Sequence, residues 1–136
     1  MGLWHYTCSH SYARIGANGR LVPAWDLYTE QQQRQLPADL QPITKFVWLT
    51  DLDTPIADAL GLTREHIRCD RTRFRYRVQD DRAWITRYAA VRRSLTPEVR
   101  TALETAPGAM PMHWWVAREP VAVVYDPIPT PARNRS

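Results

Sequence analysis

The 136-residue sequence has only two cysteines, five glycines and one lysine. Cys8 and Cys69 are too few for a disulfide framework. The longest apolar runs, 46–49 and 121–125, are far shorter than the roughly 18–20 residues that a membrane-spanning helix needs. The first residues carry neither a basic segment nor a long apolar segment, so no secretory leader is expected. Together these deficits predict a cytoplasmic protein with reduced thiols and no membrane contact.

The composition is that of an ordinary globular protein, with 44% hydrophobic and 24% charged residues. A chain of this length corresponds to one domain. We expect a single globular domain over residues 1–126 and a proline-rich C-terminal tail over residues 127–136. The net charge is +4, and 17 of the 18 cationic residues are arginine, because Lys45 is the single lysine. This charge permits a nucleic-acid partner without requiring one.

Short strands and short helices alternate irregularly along the chain. Strands are predicted over residues 3–7, 44–50, 66–78, 113–116 and 121–125. Helices are predicted over 9–15, over 53–61, from 80 to at least 91, and from 96 to the turn at 107–108. Residues 24–42 have few apolar anchors and two prolines, which favours a long loop with one polar helical turn. This order predicts an α+β fold with a mixed, largely antiparallel sheet.

Three stretches of the sequence share their order with one family. The segment Leu3-Trp4-His5-Tyr6-Thr7 precedes a short helix and a return bounded by Gly16 and Gly19. Val47-Trp48-Leu49-Thr50 follows, and Glu119 stands just before the last apolar strand. These stretches resemble the ADP-ribosyltransferase superfamily, in particular the branch with DNA-targeting toxins and RNA 2′-phosphotransferases.

The resemblance implies an ADP-ribosyltransferase-like fold and NAD as co-substrate. It implies that His5 hydrogen-bonds the nicotinamide ribose and that Glu119 is the catalytic carboxylate. The NAD-binding residues implied are His5, Tyr6, Thr7, Tyr12, Trp48 and Thr50. The chemistry is coherent, because cleavage of the nicotinamide–ribose bond develops positive charge that a carboxylate stabilises. A flat aromatic ring such as that of Trp48 or Tyr12 can stack on nicotinamide.

The acceptor of such a transfer is less defined. Arginine-modifying members carry an acidic or amide residue two positions before the catalytic glutamate, where this sequence has Ala117. The expected acceptor is therefore a nucleic acid or another macromolecule rather than a protein arginine. In the structural alternative, His5 is a core histidine and Glu119 a surface residue of a hairpin.

Every second residue of the segment 71–78 is an arginine. Because side chains alternate along a strand, Arg71, Arg73, Arg75 and Arg77 are expected on one exposed face, with Phe74 and Tyr76 on the core side. Such a stripe suits the phosphates of a nucleic acid. It supports a second hypothesis, a non-enzymatic arginine-rich module that binds nucleic acid or an acidic protein. A solvated sheet face is the alternative without function.

Two His-x2-Cys pairs, His5 with Cys8 and His66 with Cys69, contain the ligand types of a tetrahedral zinc site. Close-spaced zinc ligands normally sit on tight turns, whereas these are expected on a strand and at a strand–helix junction. We therefore expect no bound metal and treat a zinc-stabilised domain as the third hypothesis.

Overall fold

A computed structural model describes residues 2–7, 9–54, 74–79 and 84–129, without the side chains of residues 9–13. The strands are β1 (Trp4–Thr7), β2 (Arg20–Leu21), β3 (Val47–Thr50), β4 (Phe74–Val78), β5 (Thr86–Arg87), β6 (Trp114–Ala117) and β7 (Val121–Tyr125). The α-helices are α1 (Ser9–Asn18), α2 (Ala24–Leu27), α3 (Glu30–Gln35), α4 (Gln41–Thr44), α5 (Tyr88–Val91) and α6 (Pro97–Glu104). Two 3₁₀ turns cover Arg92–Ser94 and Pro111–His113. No helix within these ranges is both long enough and apolar enough to cross a bilayer.

The seven strands form one sheet in the order β2-β7-β4-β1-β3-β6-β5. Every pair of neighbouring strands is antiparallel. The predicted α+β class with antiparallel pairing is therefore confirmed.

The sheet is divided in the middle. β1 and β4 share four residue pairs, as do β3 and β6, whereas β1 and β3 are joined by the single pair Trp4–Thr50. Only residues 118–120 connect β6 to β7, and this connection spans at most ~14 Å. In a flat sheet these strands would lie four spacings apart, or ~19 Å. The sheet therefore folds at the Trp4–Thr50 joint into a first half-sheet (β2, β7, β4, β1) and a second half-sheet (β3, β6, β5).

The inner faces of the two half-sheets share one apolar core. Its buried members are Ile15, Leu21, Val47, Leu49, Tyr76, Ala117, Val121 and Val123. Tyr76, only 2% exposed, comes from the first half-sheet, and Leu49 comes from the second. Ile15 of α1 completes the core, as its helical position predicted. Both half-sheets thus bury apolar area against each other, which stabilises the folded sheet.

The outer face of the second half-sheet carries a second core. Its buried members are Phe46, Tyr88, Leu95, Val99, Trp114 and Val116. Tyr88 lies in α5 and Val99 in α6, so these helices cover this face. The start of α6 is confirmed: the Thr96 side chain accepts a hydrogen bond from the backbone N–H of Val99 and caps the helix.

The first helix is longer than the sequence predicted. It continues through Gly16 to Asn18, and Gly19 ends it with a φ of +65°. The Gly19 backbone N–H donates to the carbonyl of Ile15 at 2.8 Å. A left-handed residue after the last helical turn is a common helix terminator, and glycine adopts this conformation without strain.

The predicted loop over residues 24–42 is wrong, because α2, α3 and α4 occupy most of it. The helix α3 begins with a capping box, in which Thr29 and Gln32 each bond the backbone N–H of the other. Local capping therefore supports a helix that has no apolar stripe. α4 also takes Thr44 from the predicted strand 44–50, which begins at Val47.

A helix over 84–87 was also wrongly predicted. Thr86–Arg87 forms β5 at the edge of the second half-sheet, and α5 begins only at Tyr88. Pairing with β6 outweighs the helical periodicity of the apolar residues here. Most of the predicted helix over 53–61, and residues 66–73 of the predicted strand 66–78, lie outside the described residues.

Candidate functional site

His5 lies where the two half-sheets part, one residue after the Trp4–Thr50 joint. Its Nδ1 is 2.8 Å from the carbonyl oxygen of Trp48. A carbonyl oxygen can only accept, so Nδ1–H of the imidazole is the donor. The side chain is only partly buried. His5 thus bridges β1 to β3 with a defined tautomer.

His5 and Thr7 face the inner side of the first half-sheet, because His5 pairs with the inner residue Tyr76 and side chains alternate along the strand. Tyr6 therefore lies on the outer face, opposite Arg75. The Tyr6 hydroxyl donates to the carbonyl of Leu52 at 2.9 Å, and burial raises its pKa. Tyr6 and His5 were predicted to contact the same ligand, yet their side chains point to opposite faces.

Trp48 and Thr50 also lie on an outer face, since they pair with the outer-core residues Val116 and Trp114. The Trp48 indole N–H donates to the carbonyl of Ile43 at 2.8 Å. Its ring packs in the outer core, so it is the Trp48 carbonyl, and not the ring, that meets His5. Thr50 is buried, and its hydroxyl accepts from the backbone N–H of Leu52.

The predicted catalytic carboxylate, Glu119, belongs to a different segment from this bridge. Glu119 is exposed in the 118–120 turn, where the chain crosses from the second half-sheet to the first. The side chain of Tyr12 lies outside the described part of the chain, although its backbone belongs to α1.

The predicted exposed arginine stripe is wrong at Arg75, which is only 5% exposed. Its guanidinium donates to the carbonyls of Asp126, Asp53 and Pro127 at 3.0, 2.8 and 3.2 Å. It also forms an ion pair with the Asp126 carboxylate at 3.1 Å. A buried guanidinium must have its donors satisfied, and here the protein itself supplies the acceptors.

The structure describes one further arginine of the predicted stripe. Arg77 is exposed, as expected, and Arg71 and Arg73 lie outside the described residues. The core side of the strand is confirmed by the buried ring of Tyr76.

The zinc hypothesis involves three residues, Cys8, His66 and Cys69, that lie outside the described ranges. Within those ranges, no group of three or more His, Cys, Asp or Glu side chains is arranged to hold a metal ion.

A cluster at the far end of the second half-sheet was not predicted from the sequence. The Asp51 carboxylate accepts from His113 Nδ1 at 2.6 Å and from the indole N–H of Trp115 at 3.1 Å. Asp51 and His113 are 62 residues apart in sequence. No local motif links them; they meet because β3 and β6 are paired strands.

Comparisons of the chain with protein-family models, with curated proteins and with solved structures each returned no match.

Proposed function

We propose that the protein is an NAD-consuming, ADP-ribosyltransferase-like enzyme in which His5 binds the nicotinamide ribose. The observation that carries this proposal is the position of His5 at the parting of the half-sheets, with Nδ1–H held by the Trp48 carbonyl. This bond sets the orientation of the imidazole ring between the two half-sheets.

Glu119 is the proposed catalytic carboxylate. Its location in the exposed turn between the half-sheets leaves it accessible to a bound dinucleotide. A carboxylate near the ribose stabilises the oxocarbenium character that develops as the bond to nicotinamide breaks. The acceptor in this proposal is a nucleic acid or another macromolecule.

The second hypothesis, an arginine-rich binding module, loses support at Arg75. This side chain is engaged by Asp126 and three backbone carbonyls of its own chain. A phosphate would have to displace these buried partners, whereas Arg77 remains exposed. We therefore favour the enzyme and keep nucleic acid as a candidate acceptor.

The test measures NAD binding by calorimetry and nicotinamide release by chromatography, with and without single-stranded DNA or RNA as acceptor. We expect His5→Ala to weaken NAD affinity about tenfold, the effect of one lost hydrogen bond in a defined site. Glu119→Gln should bind NAD normally and release almost no nicotinamide, because it keeps the shape but loses the charge.

Arg93→Gln, at an exposed position of a 3₁₀ turn, is the matched control and should behave as the wild type. If the wild type neither binds NAD nor releases nicotinamide with any acceptor, the proposal is wrong. Unchanged turnover in Glu119→Gln would remove that residue from the reaction.

A further inference from the structure

The Asp51–His113 pair lies beyond the paired ends of β3 and β6 and has no role in the function proposed above. We propose that His113 is the base that accepts the proton of the attacking group, with Asp51 as its positioning residue. This inference rests on the proposed NAD-cleaving function and adds to it the group that activates the nucleophile.

Asp51 and His113 are joined by one side-chain contact and one backbone hydrogen bond. Asp51 Oδ1 lies 2.6 Å from His113 Nδ1, while the Asp51 backbone N–H donates to the His113 carbonyl at 3.2 Å. The other carboxylate oxygen accepts from the Trp115 indole N–H, which can only donate. The indole is itself stacked under Arg87 at 4.8 Å. Both the carboxylate and the ring are therefore fixed in one orientation.

This orientation leaves His113 suited to proton transfer. A carboxylate accepts, so Nδ1 carries the proton and Nε2 has the lone pair on the side of the ring away from Asp51. The His113 side chain is 30% exposed, so a substrate can reach it, while Asp51 is 14% exposed and partly shielded from water. A carboxylate that is shielded from water and orients a more exposed imidazole is the arrangement of a histidine general base.

The pair faces the same side of the sheet as His5. Trp115 pairs with the inner residue Leu49, so its indole, together with the carboxylate and imidazole bonded to it, belongs to the inner face of the second half-sheet. His5 is on the inner face of the first half-sheet. β1 and β6 are the two neighbours of β3, so His5 and the Asp51–His113 pair lie on the same side of the sheet, on strands that flank β3.

The proposed step is balanced without any further reactant. The O–H proton of water or of an acceptor hydroxyl moves to His113 Nε2, and the oxygen forms a bond to C1′ of the ribose. The bond from C1′ to nicotinamide breaks, and its electron pair leaves with neutral nicotinamide. Asp51 stabilises the imidazolium that forms, and the proton then passes to solvent.

The experiment compares three variants of the full chain in NAD hydrolysis, with water as the attacking group. His113→Gln should lower kcat about 100-fold while NAD affinity stays within about twofold, since a general base acts on the transition state. It should also lose the acidic limb of the pH–rate profile. Asp51→Asn should lower kcat about tenfold. Arg93→Gln, at an exposed position outside this cluster, is the control and should keep the wild-type kcat.

NMR of the histidine ring nitrogens gives a readout that is independent of turnover. In the wild type we expect His113 protonated at Nδ1, and NAD should shift its ring signals together with those of His5. This measurement also serves if His113→Gln folds poorly.

The outcomes separate the two proposals. If the wild type hydrolyses NAD but His113→Gln keeps its kcat and pH profile, the inference is overturned and the proposed function stands. Unshifted His113 signals in the presence of bound NAD would have the same meaning. A wild type that does not bind NAD overturns both.

Discussion

The two half-sheets close their outer faces by different means. On the second half-sheet, the rings of Trp48, Tyr88 and Trp114 pack against one another with centroid separations of 5.2 to 6.3 Å. On the first half-sheet, the buried guanidinium of Arg75 binds backbone carbonyls and Asp126. The outer face of the second half-sheet is covered through non-directional apolar contacts, and that of the first half-sheet through directional hydrogen bonds.

This difference shows that alternation along a strand fixes the direction of a side chain but not its burial. Arg75 and Arg77 share one face of β4, yet Arg75 is buried and Arg77 is exposed. Chain segments at Asp53 and Asp126 lie against Arg75 and supply its acceptors. The Trp4 ring adds a cation–π contact at 5.3 Å. Whether a side chain is buried depends on which distant chain segments pack over that face of the sheet. A local sequence pattern does not contain this information.

The largest effect on the free energy of unfolding is expected among the packed rings of the outer core on the second half-sheet. Trp114→Ala should lower the free energy of unfolding by about 3–5 kcal/mol, because it leaves a cavity among the rings of the outer core. Urea denaturation measures this. Met112→Ala, at a side chain 66% exposed, is the control and should change stability by less than about 0.5 kcal/mol. A loss below 1 kcal/mol for Trp114→Ala would mean that the rings do not hold this face closed.

The hydrogen bonds on the outer face of the first half-sheet should contribute nearly as much to the free energy of unfolding, although they depend on the single side chain of Arg75. Arg75→Met should lower the free energy of unfolding by about 2–4 kcal/mol, because three backbone carbonyls and the Asp126 carboxylate lose their donor. Arg77→Met, two residues along the same face, is the matched control, with an expected change under about 0.5 kcal/mol. If both variants lose the same small amount of unfolding free energy, Arg75 behaves as an exposed residue and the assigned contacts do not stabilise the fold. Raising the salt concentration should change the Arg75 effect little, since buried contacts are weakly screened.

The smallest effect is expected at the edge of the outer core, where Glu104 binds Arg92 and Tyr88. The Arg92 guanidinium donates to the carboxylate at 2.7 and 2.9 Å and lowers its pKa, and the Tyr88 hydroxyl donates at 2.7 Å. Burial raises the pKa of Tyr88. A carboxylate with a lowered pKa stabilises the fold above the usual glutamate range. This contribution is lost as the pH falls through the lowered pKa.

Thermal melting of the wild type and of Glu104→Gln at several pH values tests this link. At neutral pH the variant should melt a few degrees lower, because such a partly exposed pair contributes little. Below about pH 4 the difference should shrink as the wild-type carboxyl becomes protonated. Glu30→Gln, in the exposed helix α3, is the control. A gap that widens in acid would contradict the assigned role of the Arg92–Glu104 contact.

Local patterns predicted the elements whose physics is local. The run Val121–Tyr125 and the Thr96-Pro97 start of α6 were predicted close to their observed bounds, because apolar runs and caps act within a few residues. The capping box of Thr29 and Gln32 was also present in the sequence and would have indicated α3. Because the segment has no apolar stripe, α3 was not predicted.

The candidate site was much harder to predict than the strands. His5 was singled out, but the division of Tyr6, Trp48 and Thr50 onto outer faces depends on strand pairing. The Asp51–His113 contact depends on the pairing of β3 with β6 and joins residues 62 positions apart. Neither arrangement leaves a short-range trace in the sequence.

Within the residues that the structure describes, the outermost strands of the sheet, β2 and β5, have two residues each. An edge that short offers few unpaired backbone groups to a strand from another molecule, and Arg20 and Arg87 add an exposed charge to each. A sheet of seven strands would otherwise be a template for edge-to-edge aggregation. Short length and charge thus limit edge-to-edge pairing at both of these strands.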